Sequence, residues 1–411
     1  MNLGSHQAGP VVLKVGGVKL QHWTSLEVTH DLANLAGTFR TSLAVDVPLQ
    51  AGSLPTIGEA VEISLEGQQV LKGWLEFINV SGDANSLHVT LSGRDRSGDL
   101  ADCAANPLGP SEYKGMKLEA IVGALAQPFG VSVDRAVETG TPFTLVALEP
   151  ADVTLDVIER HARQRGVLVT SDGLGGLVLT RAGITHACDT LVFPGGNVTQ
   201  MEARRGQKHR DYWVKGQAPS HKRPLKSALH VGQKPSPAQA MPDAAKNEAA
   251  AACRYGHARD EGTARYRPCV YLAKTQSGAS MATQDVANSS PSKPEKKRSS
   301  GQPWTLDDQA AWRMRTKRAG ATTFVYTVPG FLNHAGELWR PNQLVTVQDS
   351  VNGLSRDMLI SAVTWIAEQD HCITRLSVVP PDAFDLTGEA VLPPTGNQRQ
   401  RRHVVARGHM S

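Results

Sequence analysis

Two runs of sequence, Val61-Glu-Ile-Ser-Leu65 and Leu87-His-Val-Thr-Leu91, place apolar residues at every second position. Successive side chains of a strand point to opposite faces, so this period puts one row on a core and the other outward. Between them, Leu75 to Val80 is mostly apolar, which predicts a strand buried on both faces. Gly67-Gln68-Gln69 and Gly82-Asp83-Ala84-Asn85 separate the runs, and Gly and Asn accept the positive φ of hairpin turns. Val11 to Gly98 therefore reads as all-β.

The same order returns later. Pro341-Asn-Gln-Leu-Val-Thr-Val-Gln348, Leu359-Ile-Ser-Ala-Val-Thr-Trp-Ile366 and Ile373-Thr-Arg-Leu-Ser-Val378 echo Gly58–Leu65, Leu71–Ile78 and Leu87–Leu91. A duplicated unit lets one subunit present two similar surfaces. Thr323–Val328 precedes the second set as a further strand.

The rest of the chain is more varied. Met116 to Phe129 is helical in pattern, with Leu118, Ile121, Val122 and Leu125 on one face. Thr154 to Arg165 predicts a second helix, capped by Thr154, with Leu155, Ile158 and Ala162 on one face. Val167–Thr170 and Leu177–Thr180 are short strands about the turn Gly173–Gly176. Val198 to Gly216 predicts a pair of strands, Asp243 to Glu261 an Ala-rich helix, and Tyr266 to Ala273 a strand. Gln276 to Pro303 is Ser, Lys, Pro and Gly with almost no apolar residue, the composition of a disordered loop. A helix begins at Thr305, where Thr305 and Asp308 form a capping-box pattern.

With 40% hydrophobic and 20% charged residues, the chain is long and apolar enough for roughly two to four globular domains. The five cysteines, Cys103, Cys188, Cys253, Cys269 and Cys372, show neither CxxC nor Cys/His ligand spacing, so they predict reduced thiols and no zinc site. No charged-then-apolar leader starts the chain and no apolar run reaches the ~20 residues of a bilayer span, so folding in the cytosol is expected.

Catalytic patterns are missing. HExxH, G-x-x-x-x-G-K-[ST] and G-x-S-x-G do not occur. Asp95, Asp99 and Asp102 form the densest carboxylate cluster, beside Arg94 and Arg96. Paired carboxylates can serve acid/base chemistry, but turn capping and local ion pairs explain these better. His161 and Cys103 have no identifiable partners for catalysis. No catalytic, cofactor or metal residue is assigned.

A net charge of +4 is too small to imply nucleic-acid binding. The charge is nonetheless uneven. Arg204, Arg205, Lys208 and Arg210 are opposed locally only by Glu202 and Asp211. They are candidate channel- or partner-facing residues. A solvated strand face is the simpler alternative.

Gly93-Arg-Asp-Arg-Ser-Gly-Asp-Leu-Ala-Asp-Cys-Ala-Ala105 resembles the motif that closes the first β-domain of Mu-like phage tail protein P, the contractile-tail baseplate hub family. Tyr326-Thr-Val-Pro-Gly-Phe331, Gly336-Glu-Leu-Trp-Arg-Pro-Asn-Gln-Leu-Val-Thr-Val-Gln-Asp349 and Asp357-Met-Leu-Ile-Ser-Ala-Val-Thr-Trp365 resemble its second barrel, with Arg265-Tyr-Arg-Pro268 between. The resemblance runs in order from about Val11 to Asp382. The loop Gln276–Pro303 and the tail after Leu386 depart from it.

The resemblance implies an α+β, mainly β chain with two similar β-barrel domains, a small α/β insert and helical and loop insertions, forming a ring-shaped trimer. The implied division is 1–103 for the first barrel, 104–185 for the α/β domain, and 186–232 with 322–384 for the second barrel. An inserted helical segment, 233–321, holds the loop 276–303, and 385–411 is a basic tail. The family is related to the T-even phage central hub and to the N-terminal part of VgrG spikes. Its implied role is structural: matching a sixfold tail tube to a trimeric cell-puncturing spike, around a channel for DNA. The implied partners are two further copies, the tube protein, the spike protein and baseplate wedge proteins, with DNA only in passage. No cofactor is implied. A tail-associated wall-degrading enzyme and a type VI secretion spike component are the alternatives.

Overall fold

The computed structural model describes residues 11–45, 54–83, 87–217, 253–272, 306–368 and 371–384. The expected disordered loop, the basic tail and the Thr305–Asp308 cap lie outside the described residues or side chains.

The first β unit contains strands Val11–Val15, Val18–Lys19, Trp23–Asp31, Thr38–Val45, Ala60–Leu65, Gln68–Gly82 and Leu87–Asp95. The alternation is realised in Ala60–Leu65, where Val61, Ile63 and Leu65 are buried. Its turn is shorter than expected. Leu65 pairs with Gln68, leaving Glu66 (φ 48°) and Gly67 (φ 75°) as a two-residue hairpin loop, and positive φ at both positions matches the right-handed twist of the strands.

The expectation for Leu75–Val80 is corrected. Leu75 is buried, but Phe77 is 62% and Val80 50% exposed. On this side Ala60–Leu65 reaches only as far as Trp74, so Gln68–Gly82 runs on past it with Leu87–Asp95 alone beside it.

The second unit repeats the first in pairing as well as in order. Gln200–Arg205, Thr322–Pro329, Gln343–Asp349, Leu354–Glu368 and His371–Val379 stand where Trp23–Asp31, Thr38–Val45, Ala60–Leu65, Gln68–Gly82 and Leu87–Asp95 stand in the first. The long strands even bulge at the same place, between Leu75 and Phe77 and between Ile360 and Ala362. Phe39 faces Gly93 and Phe324 faces Val378 at equivalent positions. A bulge adds an unpaired residue and bends the strand, so its recurrence marks shared geometry rather than two arbitrary meanders.

Neither of the two expected barrels is seen as a closed sheet among the described residues. The second half of Leu354–Glu368 pairs antiparallel with Trp23–Asp31, from Ala362 opposite Asp31 to Glu368 opposite Ser25. This seam splices both units into one 13-stranded sheet, which does not close on itself among the described residues. A single core follows, in which Leu26, Val28, Phe39, Leu75 and Leu91 join Tyr326, Trp339, Val363 and Trp365.

Between the units sits the α/β module. Helix Leu118–Ala126 buries Leu118, Ile121, Val122 and Leu125, as its spacing requires. Helix Thr154–Gln164 buries Val157, Ile158, His161 and Ala162. Thr154 is its first residue rather than its cap; the cap position is Val153, and Thr154 Oγ1 donates to the Cys103 carbonyl at 3.1 Å. Leu168–Ser171 and Gly176–Thr180 form the expected hairpin, extended by parallel Ser132–Arg135.

A small three-stranded sheet completes the described chain. Asp211–Gln217 is its centre, with Cys253–Arg259 antiparallel on one side and Pro268–Leu272 parallel on the other. Two expectations are corrected here. Cys253–Arg259 is a strand, not the end of an Ala-rich helix: it pairs with Asp211–Gln217, and His257 stacks on Trp213 with centroids 4.0 Å apart. Gln200–Arg205 and Asp211–Gln217 are both strands but do not pair with each other. Helix Leu306–Ala321 packs on this sheet, burying Gln309 and Ala310.

Candidate functional site

The carboxylate cluster serves architecture. Asp95, at the end of its strand, is buried. Its Oδ2 accepts from Gly37 N at 2.7 Å and Ser171 Oγ at 2.8 Å; its Oδ1 accepts from Ser97 N at 2.8 Å and Ser97 Oγ at 2.5 Å. One carboxylate thus ties the first unit to the α/β hairpin. Burial raises its pKa against the pull of these donors. Arg94, one residue earlier, is held between Glu76 and Asp102, and its hydrogen bond keeps the Asp102 carboxyl below the usual range.

Beside Asp95 lies a cavity of about 100 Å³ lined by His30, Val70, Asp172, Arg340 and Trp365, where all three parts meet. Desolvation, with the Arg340 charge, lowers the His30 pKa to about 4. A neutral imidazole therefore fills the junction at ordinary pH. Nothing in the sequence around His30 signals this role, because every partner is remote in the chain.

A larger cleft, about 510 Å³, opens between Thr154–Gln164, Leu306–Ala321 and the seam, with Glu159, Arg163, Trp312, Ser361 and Phe384 in its lining. Arg163 lies over the Trp312 ring at 5.0 Å. His161 is spent on packing: its Nδ1 lies 2.7 Å from the Val157 carbonyl and its ring is edge-on to Phe143. Cys103 is exposed and unpaired. No group of three or more His, Cys, Asp or Glu residues among those described could hold a metal ion.

The four basic candidates do not form one cluster. Arg204 and Arg205 are consecutive on the sheet's outermost strand, so they point to opposite faces. Arg204 is exposed. Arg205 donates to Asn352 Oδ1 at 3.1 Å and lies over Phe324. Lys208 is in the connection to the three-stranded sheet. Arg210 pairs with Asp211 at 2.8 Å and lies over Tyr266. Two of the four are thus engaged locally.

Comparison with known proteins places these parts in one family. Residues 10–95 match the family described as Mu phage baseplate assembly protein GpP-like, N-terminal. Residues 97–181 match the second domain of baseplate hub protein gp44-like proteins, and 303–387 the fourth domain of Mu phage baseplate assembly protein GpP. Baseplate hub protein gp44 of Escherichia phage Mu is 30% identical over 384 residues, covering 91% of this chain and 88% of that one. The chain belongs to the Mu-type baseplate hub family.

The hub's fold recurs in solved tail proteins. The 43 kDa tail protein of prophage MuSo2 from Shewanella oneidensis superimposes with a TM-score of 0.69 at 25% identity, over 92% of this chain and 99% of that one. The tail protein from Neisseria meningitidis MC58 does so at 0.64 and 20% identity, over 92% and 98%. The hub is a structural component of a phage tail baseplate, and the relatives named are structural tail proteins.

Proposed function

We propose that this hub acts as a symmetry adaptor, without catalytic activity of its own. Three copies form a ring in which six β units stand in quasi-sixfold positions. One side of the ring receives the tail tube protein and the other carries the trimeric spike, with wedge proteins outside and a channel for DNA within. The observation that carries this reading is the repeat: two units in one chain share strand order, pairing and the position of a bulge. Such duplication gives a threefold assembly six near-equivalent surfaces. Arg204, Arg205, Lys208 and Arg210 face a partner or the channel in this reading, supported by their local excess of positive charge. Assembly takes place in the host cytoplasm.

Light scattering on a sizing column tests it. The expected mass is three times that of the chain. A chain that stays monomeric at high concentration overturns the ring.

A further inference from the structure

We infer that neighbouring copies join by strand pairing between residues 77–83 of one and residues 200–206 of the next, in a register given by the seam inside each chain. The inference rests on the ring reading above and supplies its contact.

The argument is the repeat applied to its own seam. Within one chain, the second half of Leu354–Glu368 pairs with Trp23–Asp31. The strand equivalent to Leu354–Glu368 is Gln68–Gly82, and the strand equivalent to Trp23–Asp31 is Gln200–Arg205. Among the described residues, both lack the matching neighbour. Beyond Leu75, Gln68–Gly82 has only Leu87–Asp95 beside it, and Gln200–Arg205 has only Thr322–Pro329. Each chain thus carries one made seam and the two halves of a second.

Burial at equivalent positions shows what is missing. Trp365, in the made seam, is 3% exposed, whereas its equivalent Val80 is 50% exposed. Val28 opposes Trp365 and is buried, whereas its equivalent Ala203 is exposed. The bulge fixes the correspondence, placing Phe77 with Ala362. Transferring the register sets Ile78 opposite Arg205, Asn79 opposite Arg204, Val80 opposite Ala203 and Ser81 opposite Glu202. In the made seam Thr29 and Thr364 share a 2.9 Å hydrogen bond; Arg204 and Asn79 take those places. Open edges with exposed apolar residues recruit further strands. Here the two halves lie on different surfaces, so the contact is head-to-tail and a ring closes when the rotation does. Arg204 and Arg205 then belong to the interface.

Cysteine crosslinking tests the register, since a disulfide forms only between Cα atoms within about 7 Å. The double variant Asn79→Cys with Arg204→Cys should give a covalent trimer on a denaturing gel after mild oxidation. Each single variant, the parent with its native cysteines, and the off-register pair Asn79→Cys with Glu202→Cys should not. Val80→Lys should leave far-UV circular dichroism unchanged and lower the light-scattering mass threefold. A parent that scatters as a trimer, with in-register crosslinking no greater than off-register, overturns the seam and leaves the ring. So does a Val80→Lys variant that stays trimeric over the parent's concentration range. A monomeric parent overturns both.

Discussion

His30 of the first β unit packs edge-on against Trp365 of the second, ring centroids 5.2 Å apart and planes at 80°. The contact sits on the seam, where Val363 pairs with His30 and Trp365 with Val28. It places a titratable group at the point where the two halves become one sheet.

Stability should therefore depend on mild acid. His30 titrates near 4 in the fold, below its ordinary 6.5, and burial lowers His161 in the same direction. Between these values the unfolded chain binds more protons, so stability rises from pH 4 to about 6.5 and is level above. Asp31 and Asp95, raised by burial, oppose this just above the ordinary carboxylate range. Urea unfolding of His30→Leu isolates the imidazole: the slope between pH 4.5 and 6.5 should fall by up to about 1.4 kcal/mol per pH unit. An unchanged slope would show that His30 does not titrate there.

Removing the Asp95 carboxylate should cost more than any single hydrogen bond. Asp95→Ala strands the donors of Gly37, Ser97 and Ser171, and the expected loss is roughly 3 kcal/mol or more. Asp95→Asn keeps one acceptor oxygen and should lose about half as much. Denaturant midpoints of the two variants measure the difference.

Two glycines separate backbone strain from collision. Gly173 has φ +76°, and an added Cβ would sit 2.2 Å from His30 Cε1 and 2.6 Å from the Val70 carbonyl oxygen. Gly130 has φ +66° with nothing within 4 Å. Gly130→Ala should cost about 1 kcal/mol, the left-handed penalty alone. Gly173→Ala should cost roughly 3 kcal/mol or more, because the junction must also shift. Equal thermal melts for the two would remove the junction from the account.

Tyr326→Phe should be mild. Tyr326 donates to Asp349 Oδ2 at 2.8 Å inside the second unit, but Asn352 donates to both oxygens of the same carboxylate. The expected loss is about 1 kcal/mol. Asp349→Ala removes the acceptor of all three donor groups, the Tyr326 hydroxyl and the Asn352 backbone and side-chain N–H, and should lose more, as unfolding free energies would show.

Local sequence determined the strands, the two helical faces of the α/β module and the existence of a repeat. The alternation of Val61, Ile63 and Leu65 leaves one solution for which face is buried, and Leu118, Ile121, Val122 and Leu125 do the same at helical period. Periodicity, however, reports how a segment meets its core and not which segment lies beside it. Phe77 and Val80 read as buried because they are apolar; they are exposed because Ala60–Leu65 ends short of them. Cys253–Arg259 followed an Ala-rich stretch and became a strand through its pairing with Asp211–Gln217. His30, Asp95 and Ser171 are remote in the chain, and only the tertiary structure brings them to one junction. The splice of the two units into one sheet was likewise decided by hydrogen-bonding edges. Those edges belong to the backbone, which every residue shares and no side-chain pattern encodes.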